Sequence, residues 1–179
     1  MGAEIVERVA MLEISLDEKD LKRGLGQLLK NATDNRPMMR GIATELVALT
    51  EDNFEDESFG GQKWKQSQRA SDEGGKTLQK DGGLAGSIST KVGDGFARIG
   101  SKKPYAAIHH LGGKTKAHKI RPKKKKGLAF GGIVRKSVNH PGSNIPARPY
   151  LPIRSDGKLQ HGAEEAILDI ALKSLAKGV

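Results

Sequence analysis

The chain has 179 residues, a length that suits one compact domain, and no cysteine, which excludes disulfides and thiolate metal sites. Only 36% of its residues are hydrophobic and 4% aromatic, with 23 glycines, so a modest core and long loops are expected. The formal charge of +10 makes anionic partners natural, and no uncharged apolar run is long enough for a membrane span.

Arg8 to Leu16 alternates Val9, Met11 or Leu12, Ile14 and Leu16 with smaller or polar residues, and this pattern predicts a short strand. Glu4, Glu7, Arg8 and Glu13 interrupt the apolar residues there, so no signal peptide is expected and assembly should occur in the cytoplasm. Asp17, Glu18 and Asp20 suit a helix N-terminus, where carboxylates meet unpaired amides, and Leu21, Leu25, Leu28 and Leu29 form a stripe; a helix is predicted over 17–31. Pro37 opens a second, over 37–54, with Met39, Ile42, Leu46 and Leu49 at helical spacing. From Glu55 to Gly83 the period disappears, predicting a long loop with local turns anchored by Trp64; a connection of that length generally has a job or a partner, and oligomer contact is one way to order it.

Ile88, Thr90 and Val92 share a face, Gly93-Asp94-Gly95 breaks the run, and Ala97 and Ile99 resume it, which predicts a hairpin of strands 88–92 and 96–100. Pro104 to His110 reads as a helical turn ended by Gly112-Gly113. Leu128 to Val138 reads as one strand broken at Gly131-Gly132. Ile145 to Pro152 holds three prolines and must be extended, and 162–177 places Leu168, Leu172 and Leu175 on the stripe of a closing helix. The predicted fold is α+β, with N-terminal helices and a C-terminal helix packed on a small, mostly antiparallel sheet.

No catalytic constellation can be named. Gly112-Gly113-Lys114-Thr115 resembles the end of a phosphate-binding loop, but Ile108 stands where that loop needs glycine, and Gly93-Asp94-Gly95 lacks the third glycine of a dinucleotide fingerprint because Arg98 occupies the position. Adjacent His109 and His110 cannot both face one metal from a regular helix, so one ring should pack and the other be solvated. No metal, cofactor or nucleophile is therefore expected.

Charge is divided along the chain. Residues 1–60 hold 7 Lys and Arg against 13 Asp and Glu, whereas 61–154 hold 21 against 4. Such a sequence can be self-complementary between copies, or can offer its basic part to nucleic acid. The centre of the basic part is Lys114, Lys116, Lys119, Arg121, Lys123, Lys124, Lys125 and Lys126, eight cations with no acid among them. Two readings stand: phosphate contact driven by counterion release and indifferent to sequence, since no aromatic is there to stack on bases, or a mobile solvated loop. Trp64, Tyr105, Arg148 and Tyr150 are the candidate core or interface anchors.

In order, Phe54, Gly60-Gly61, Trp64 and Ser67, then Leu78, Gly82-Gly83-Leu84 and Ser87-Ile88, then Arg98-Ile99-Gly100, Tyr105-Ala106-Ala107-Ile108-His109, Gly112-Gly113 and Ile145-Pro146-Ala147-Arg148-Pro149-Tyr150-Leu151 carry a resemblance over nearly the whole chain. The series resembles the phage Mu-like virion morphogenesis, or tail-completion, family. Asp81-Gly82-Gly83 stands where that family commonly has Ser-Gly, and Lys114 to Asn144 is longer and more basic than its pattern. The resemblance implies a ring-forming terminator or neck connector at the head–tail junction of a virion, without catalysis or cofactor. It further implies six-fold symmetry, with neighbouring neck and tail proteins as partners and passing DNA as a nonspecific contact. The alternative from the residues alone is a basic nucleic-acid-binding protein that works through Lys114 to Lys126.

Overall fold

A computed structural model describes residues 18–123, 127–130 and 132–179; the strand predicted over 8–16 lies outside the described residues. Helix α1 (Lys19–Thr33) and helix α2 (Arg36–Glu55) follow each other with only Asp34 and Asn35 between them, close to the ranges predicted. Pro37 sits in the first turn of α2, where a missing N–H leaves no bond unmade. The region expected to be a structureless loop is organised differently. Strands β1 (Ser58–Phe59) and β2 (Gln62–Lys63) pair across Gly60 and Gly61, whose φ angles of 52° and 86° suit glycine. Helix α3 (Gln68–Glu73) follows, capped by the Ser67 hydroxyl, which accepts from the Ala70 amide at 3.2 Å. Both elements are too short to show a period in the sequence.

Strands β3 (Ile88–Gly93) and β4 (Phe96–Ser101) form the predicted hairpin, with Gly93 opposite Phe96 and Ile88 opposite Ser101. This hairpin lies along α2, and the Gly95 amide at its turn donates to Asn35 Oδ1 at 2.9 Å. Helix α4 (Ala106–Leu111) is followed by β5 (Gly113–Lys114), β6 (His118–Ile120), β7 (Leu128–Phe130), β8 (Ile133–Arg135), β9 (Val138–His140) and β10 (Asn144–Ile145). Helix α5 (Ala163–Leu175) closes the fold against α2. Their approach is close, since a Cβ on Gly41 would lie 2.9 Å from Ile170 Cγ2. Asn31 Nδ2 ties α1 to the end of α5 through the carbonyls of Leu175 and Lys177, at 2.8 and 2.9 Å.

The fold is α+β, as the sequence indicates, but its described strands form five two-stranded antiparallel ladders instead of one small sheet. The core lies elsewhere, where the end of α2 meets α4 and the proline-rich segment. Phe54, Leu84, Ala106 and Tyr150 are buried together, with Trp64, Leu78, Ile88 and Leu151 packed around them. The Phe54 ring stacks on Tyr150 with centroids 5.2 Å apart and meets Trp64 edge-on at 6.0 Å. Buried Asn53 closes the polar side: its amide donates to Gln160 Oε1 at 2.6 Å and to the Tyr150 carbonyl at 3.3 Å, and its oxygen accepts from the Gly60 amide at 3.1 Å.

Tyr150 separates the two kinds of stabilisation cleanly. Tyr150→Phe removes only the hydroxyl that donates to the Ala106 carbonyl at 3.1 Å, and is expected to cost about 0.5–1.5 kcal/mol. Tyr150→Ala also removes the ring stacked on Phe54 and should cost about 3–5 kcal/mol. Urea unfolding followed by Trp64 fluorescence measures both; equal losses would mean that the ring contributes nothing to the core.

Candidate functional site

The six short strands between α4 and the proline-rich segment are nested. β5 pairs with β10, β6 with β9 and β7 with β8, all antiparallel. The chain therefore goes out along β5, β6 and β7, turns between Phe130 and Ile133, and returns along β8, β9 and β10. The result is one interrupted β-arm over 113–145. This corrects one expectation, since 128–138 doubles back where a single strand was predicted; of the described cations in the basic stretch, Lys114 and Lys119 lie in strands and Lys116, Arg121 and Lys123 lie between or beyond them. The reversal does not show in a period-two pattern, because the arm buries none of its described residues and so selects no apolar alternation.

The arm is fixed at its base by close backbone approach. Gly112, with φ 74°, ends α4 where a Cβ would fall 2.7 Å from the Ala147 amide nitrogen. At Gly142 a Cβ would fall 2.2 Å from the Thr115 carbonyl oxygen, so glycine is required there too. The Thr115 amide donates to the Ser143 carbonyl at 2.9 Å, and the Ser143 amide donates to Thr115 Oγ1 at 2.7 Å. Farther out, His118 and His140 stack with centroids 5.1 Å apart across the β6–β9 ladder.

The charge distribution of the arm is extreme. Ten of the chain's 31 Lys and Arg lie within 113–145 and none of its 21 Asp and Glu, which leaves the rest of the molecule with 21 of each sign. The whole net charge of +10 thus resides on the arm. Lys114, Lys116, Lys119, Arg121 and Lys123 are exposed along it, while Lys124, Lys125 and Lys126 lie outside the described residues. Arg135 and Lys136, on the returning side, belong to the same basic surface, although the sequence run had ended before them.

Of the four anchor candidates, three meet at the base of the arm. Tyr150 is buried; Trp64 is half-buried, and its Nε1 donates to the Pro149 carbonyl at 3.1 Å. Arg148 is buried, and its Nε donates to the Lys65 carbonyl at 2.7 Å. Tyr105 stands apart from the core at 42% exposed, with its ring edge-on to His109 at 5.9 Å.

His110 is the residue that sequence reasoning undervalued. Its Nδ1 accepts from the Tyr150 amide at 3.2 Å and lies 3.4 Å from the Leu151 amide, and its Nε2 is 2.9 Å from the Ile153 carbonyl. Only the neutral ring with the proton on Nε2 satisfies both sides, which defines the tautomer. Burial lowers its pKa, and the bond to the Ile153 carbonyl opposes that shift. His109 is half-buried, so neither ring of the pair is the solvated one expected, and its Nδ1 has no hydrogen-bond partner among the described residues. Burial, and secondarily the Arg148 charge, lower its pKa as well. The adjacent pair His109-His110 carries no sequence signal that separates these roles.

Among the described residues no group of three or more His, Asp or Glu is placed to hold a metal ion, and no helix is long and apolar enough to cross a membrane. The chemistry on display is a charge-balanced body, exposed apolar side chains on helices, and a projecting basic arm, which is the build of an assembly protein. The chain belongs to the phage virion morphogenesis family, which it matches over residues 16–176. It is 31% identical over 157 residues to a putative capsid assembly protein G of Escherichia phage Mu, covering 82% of this chain and 86% of that protein. It is also 31% identical over 107 residues to the Mu-like prophage FluMu G protein 2 of Haemophilus influenzae, covering 59% of this chain and 73% of that one. No solved structure matches it significantly.

The two histidines set a pH dependence whose sign is definite. Each has a folded pKa below the ordinary 6.5, so the unfolded chain takes up protons first as pH falls. Their stabilising effect is complete above about pH 6.5 and is lost as pH descends toward the lowered folded values, at up to about 1.4 kcal/mol per pH unit for each ring. Urea midpoints between pH 8 and 5 measure this. His110→Gln, which can still accept and donate, should flatten the curve; an unchanged slope would assign the dependence to other groups.

Proposed function

We propose that this chain is a non-enzymatic structural component of a tailed-phage virion. In this reading it forms a ring at the head–tail junction, as a tail-completion protein or neck connector, with the hexamer as the expected state. The observation that carries it is surface. Leu21, Leu25 and Leu29 on α1 and Leu168 and Leu172 on α5 are all more than half exposed, and α1 buries no residue. A monomer with so much apolar surface in water is incomplete, and subunit contact is what completes it. Similarity to a protein described as a putative capsid assembly protein agrees with an assembly role.

The arm gives this structural role a second aspect. Its lysines are mutually repulsive and costly to desolvate, so they favour a wet position facing anions, either the lumen through which DNA passes or an acidic neighbouring protein. A two-stranded β-ribbon also fits the major groove of duplex DNA, and contacts made by lysine would carry little sequence preference.

Replacing Lys123, Lys124, Lys125 and Lys126 together with glutamine separates the two aspects. Rings should persist by sizing with light scattering, while retention of duplex DNA at low salt should drop and lose much of its salt dependence. Loss of the ring with unchanged DNA retention would make the run an assembly element. A wild-type chain that stays monomeric at every concentration would remove the ring reading and leave a basic nucleic-acid-binding protein.

A further inference from the structure

Two apolar surfaces stand in water on different elements of the chain. At the turn of the arm Ile133 is 52% and Val134 72% exposed, with Arg135 and Lys136 directly after them. On α5, Leu168 is 55% and Leu172 66% exposed. Glu165, Leu168, Asp169 and Leu172 follow one another at spacings of three, one and three residues, which places them along a single stripe of that helix. The turn is therefore apolar beside cations, and the stripe is apolar beside carboxylates.

We infer that the turn of the arm docks on the α5 stripe of the next copy in the ring, an inference that rests on the ring reading above. Ile133 and Arg135 are two apart on β8 and share a face, so one can meet Leu168 and Leu172 while the other meets Glu165 and Asp169. Helix α1 has exposed leucines too, yet it carries four Lys and Arg against one Asp and repels a basic arm; α5 carries three acids against one lysine. DNA contact explains the lysines of the arm but gives no reason for Ile133 and Val134 at its end. The turn and the stripe are different surfaces of one chain, each open in the single subunit, as a head-to-tail ring demands. Docking also orders a two-stranded ladder, which is marginal by itself. The charges select the neighbour and its orientation, and the apolar contact holds it. The docking uses none of Lys114, Lys116, Lys119, Arg121 and Lys123, which stay exposed to anions.

The absence of native cysteine makes the contact directly testable. Ile133→Cys and Leu168→Cys are prepared as separate full-length variants, assembled alone and as a mixture, then oxidised mildly. Disulfide-linked dimers are expected from the mixture and not from either variant alone, and a chain carrying both substitutions should give a ladder of linked subunits. Dimers from Ile133→Cys alone would mean turn-to-turn contact and overturn the inference. So would closure within a single chain carrying both substitutions, or no cross-link in rings that sizing shows intact. Wild-type protein that forms no ring would remove the ring reading itself and the docking with it. Independently, Ile133→Glu with Val134→Glu should abolish rings while leaving the monomer's urea midpoint unchanged, and a lowered midpoint with rings intact would reassign the two side chains to the fold.

Discussion

The segment from Arg148 to Pro152 crosses the core without belonging to any sheet, and satisfying its backbone is the constraint on which the body depends. A buried segment outside regular structure must find a partner for each amide and carbonyl. Two of its five residues, Pro149 and Pro152, have no N–H to satisfy. The Arg148 amide donates to the His109 carbonyl at 2.9 Å and the Tyr150 amide to His110 Nδ1 at 3.2 Å. The carbonyl of Pro149 accepts from Trp64, that of Tyr150 from Asn53 and that of Pro152 from the Gln160 amide. Prolines thus lower the number of donors, and side chains from α2, α4 and the loop after β2 supply what strands would otherwise supply. The same bonds draw the end of α2, the loop around Trp64 and both ends of the arm into one junction.

From that junction the division of charge follows mechanically. Gly112 at the start of the arm and Ala147 just beyond its end are in contact, so the arm enters and leaves at one point and need not interact with the body along its length. Its own ladders are its principal contacts. Outside the arm the chain carries 21 residues of each sign. Lysines also guard the two open edges of the arm against indiscriminate strand pairing, since any strand added there would bring its backbone among them. Solubility and anion attraction are accordingly properties of one surface, and removing lysines changes both.

The sequence showed α1, α2, α5 and the β3–β4 hairpin because each has an apolar face of definite period. It did not show what covers that face. The stripe of Leu21, Leu25 and Leu29 reads as a core-facing helix, yet all three are more than half exposed, since periodicity reports amphipathicity and is silent on whether the opposing surface belongs to the same chain. The region after Glu55 was illegible for another reason. Its order comes from single contacts distant in sequence, such as the Thr77 amide to Glu57 Oε2 at 2.7 Å and Gln79 Nε2 to the Phe54 carbonyl at 2.6 Å. The eight cations from Lys114 to Lys126 were visible from composition, whereas the place of Lys114 and Lys119 in paired strands depends on residues 138–145, which no local pattern encodes.

This difference in legibility has a physical origin that bears on assembly. Elements whose order comes from the core, α2 and the Arg148–Pro152 segment, are specified by side chains that must fit one another. Elements that bury no residue, α1 and the outer arm, have fewer such internal requirements, and an isolated two-stranded ladder or a helix with leucines in water gains little from holding its shape alone. In the ring proposed above, contact made outside the subunit is what selects their residues. An arm that needed only to be soluble would be polar to its end; Ile133 and Val134 at its turn make it less soluble, and their position is rational when the surface that removes them from water lies on another chain.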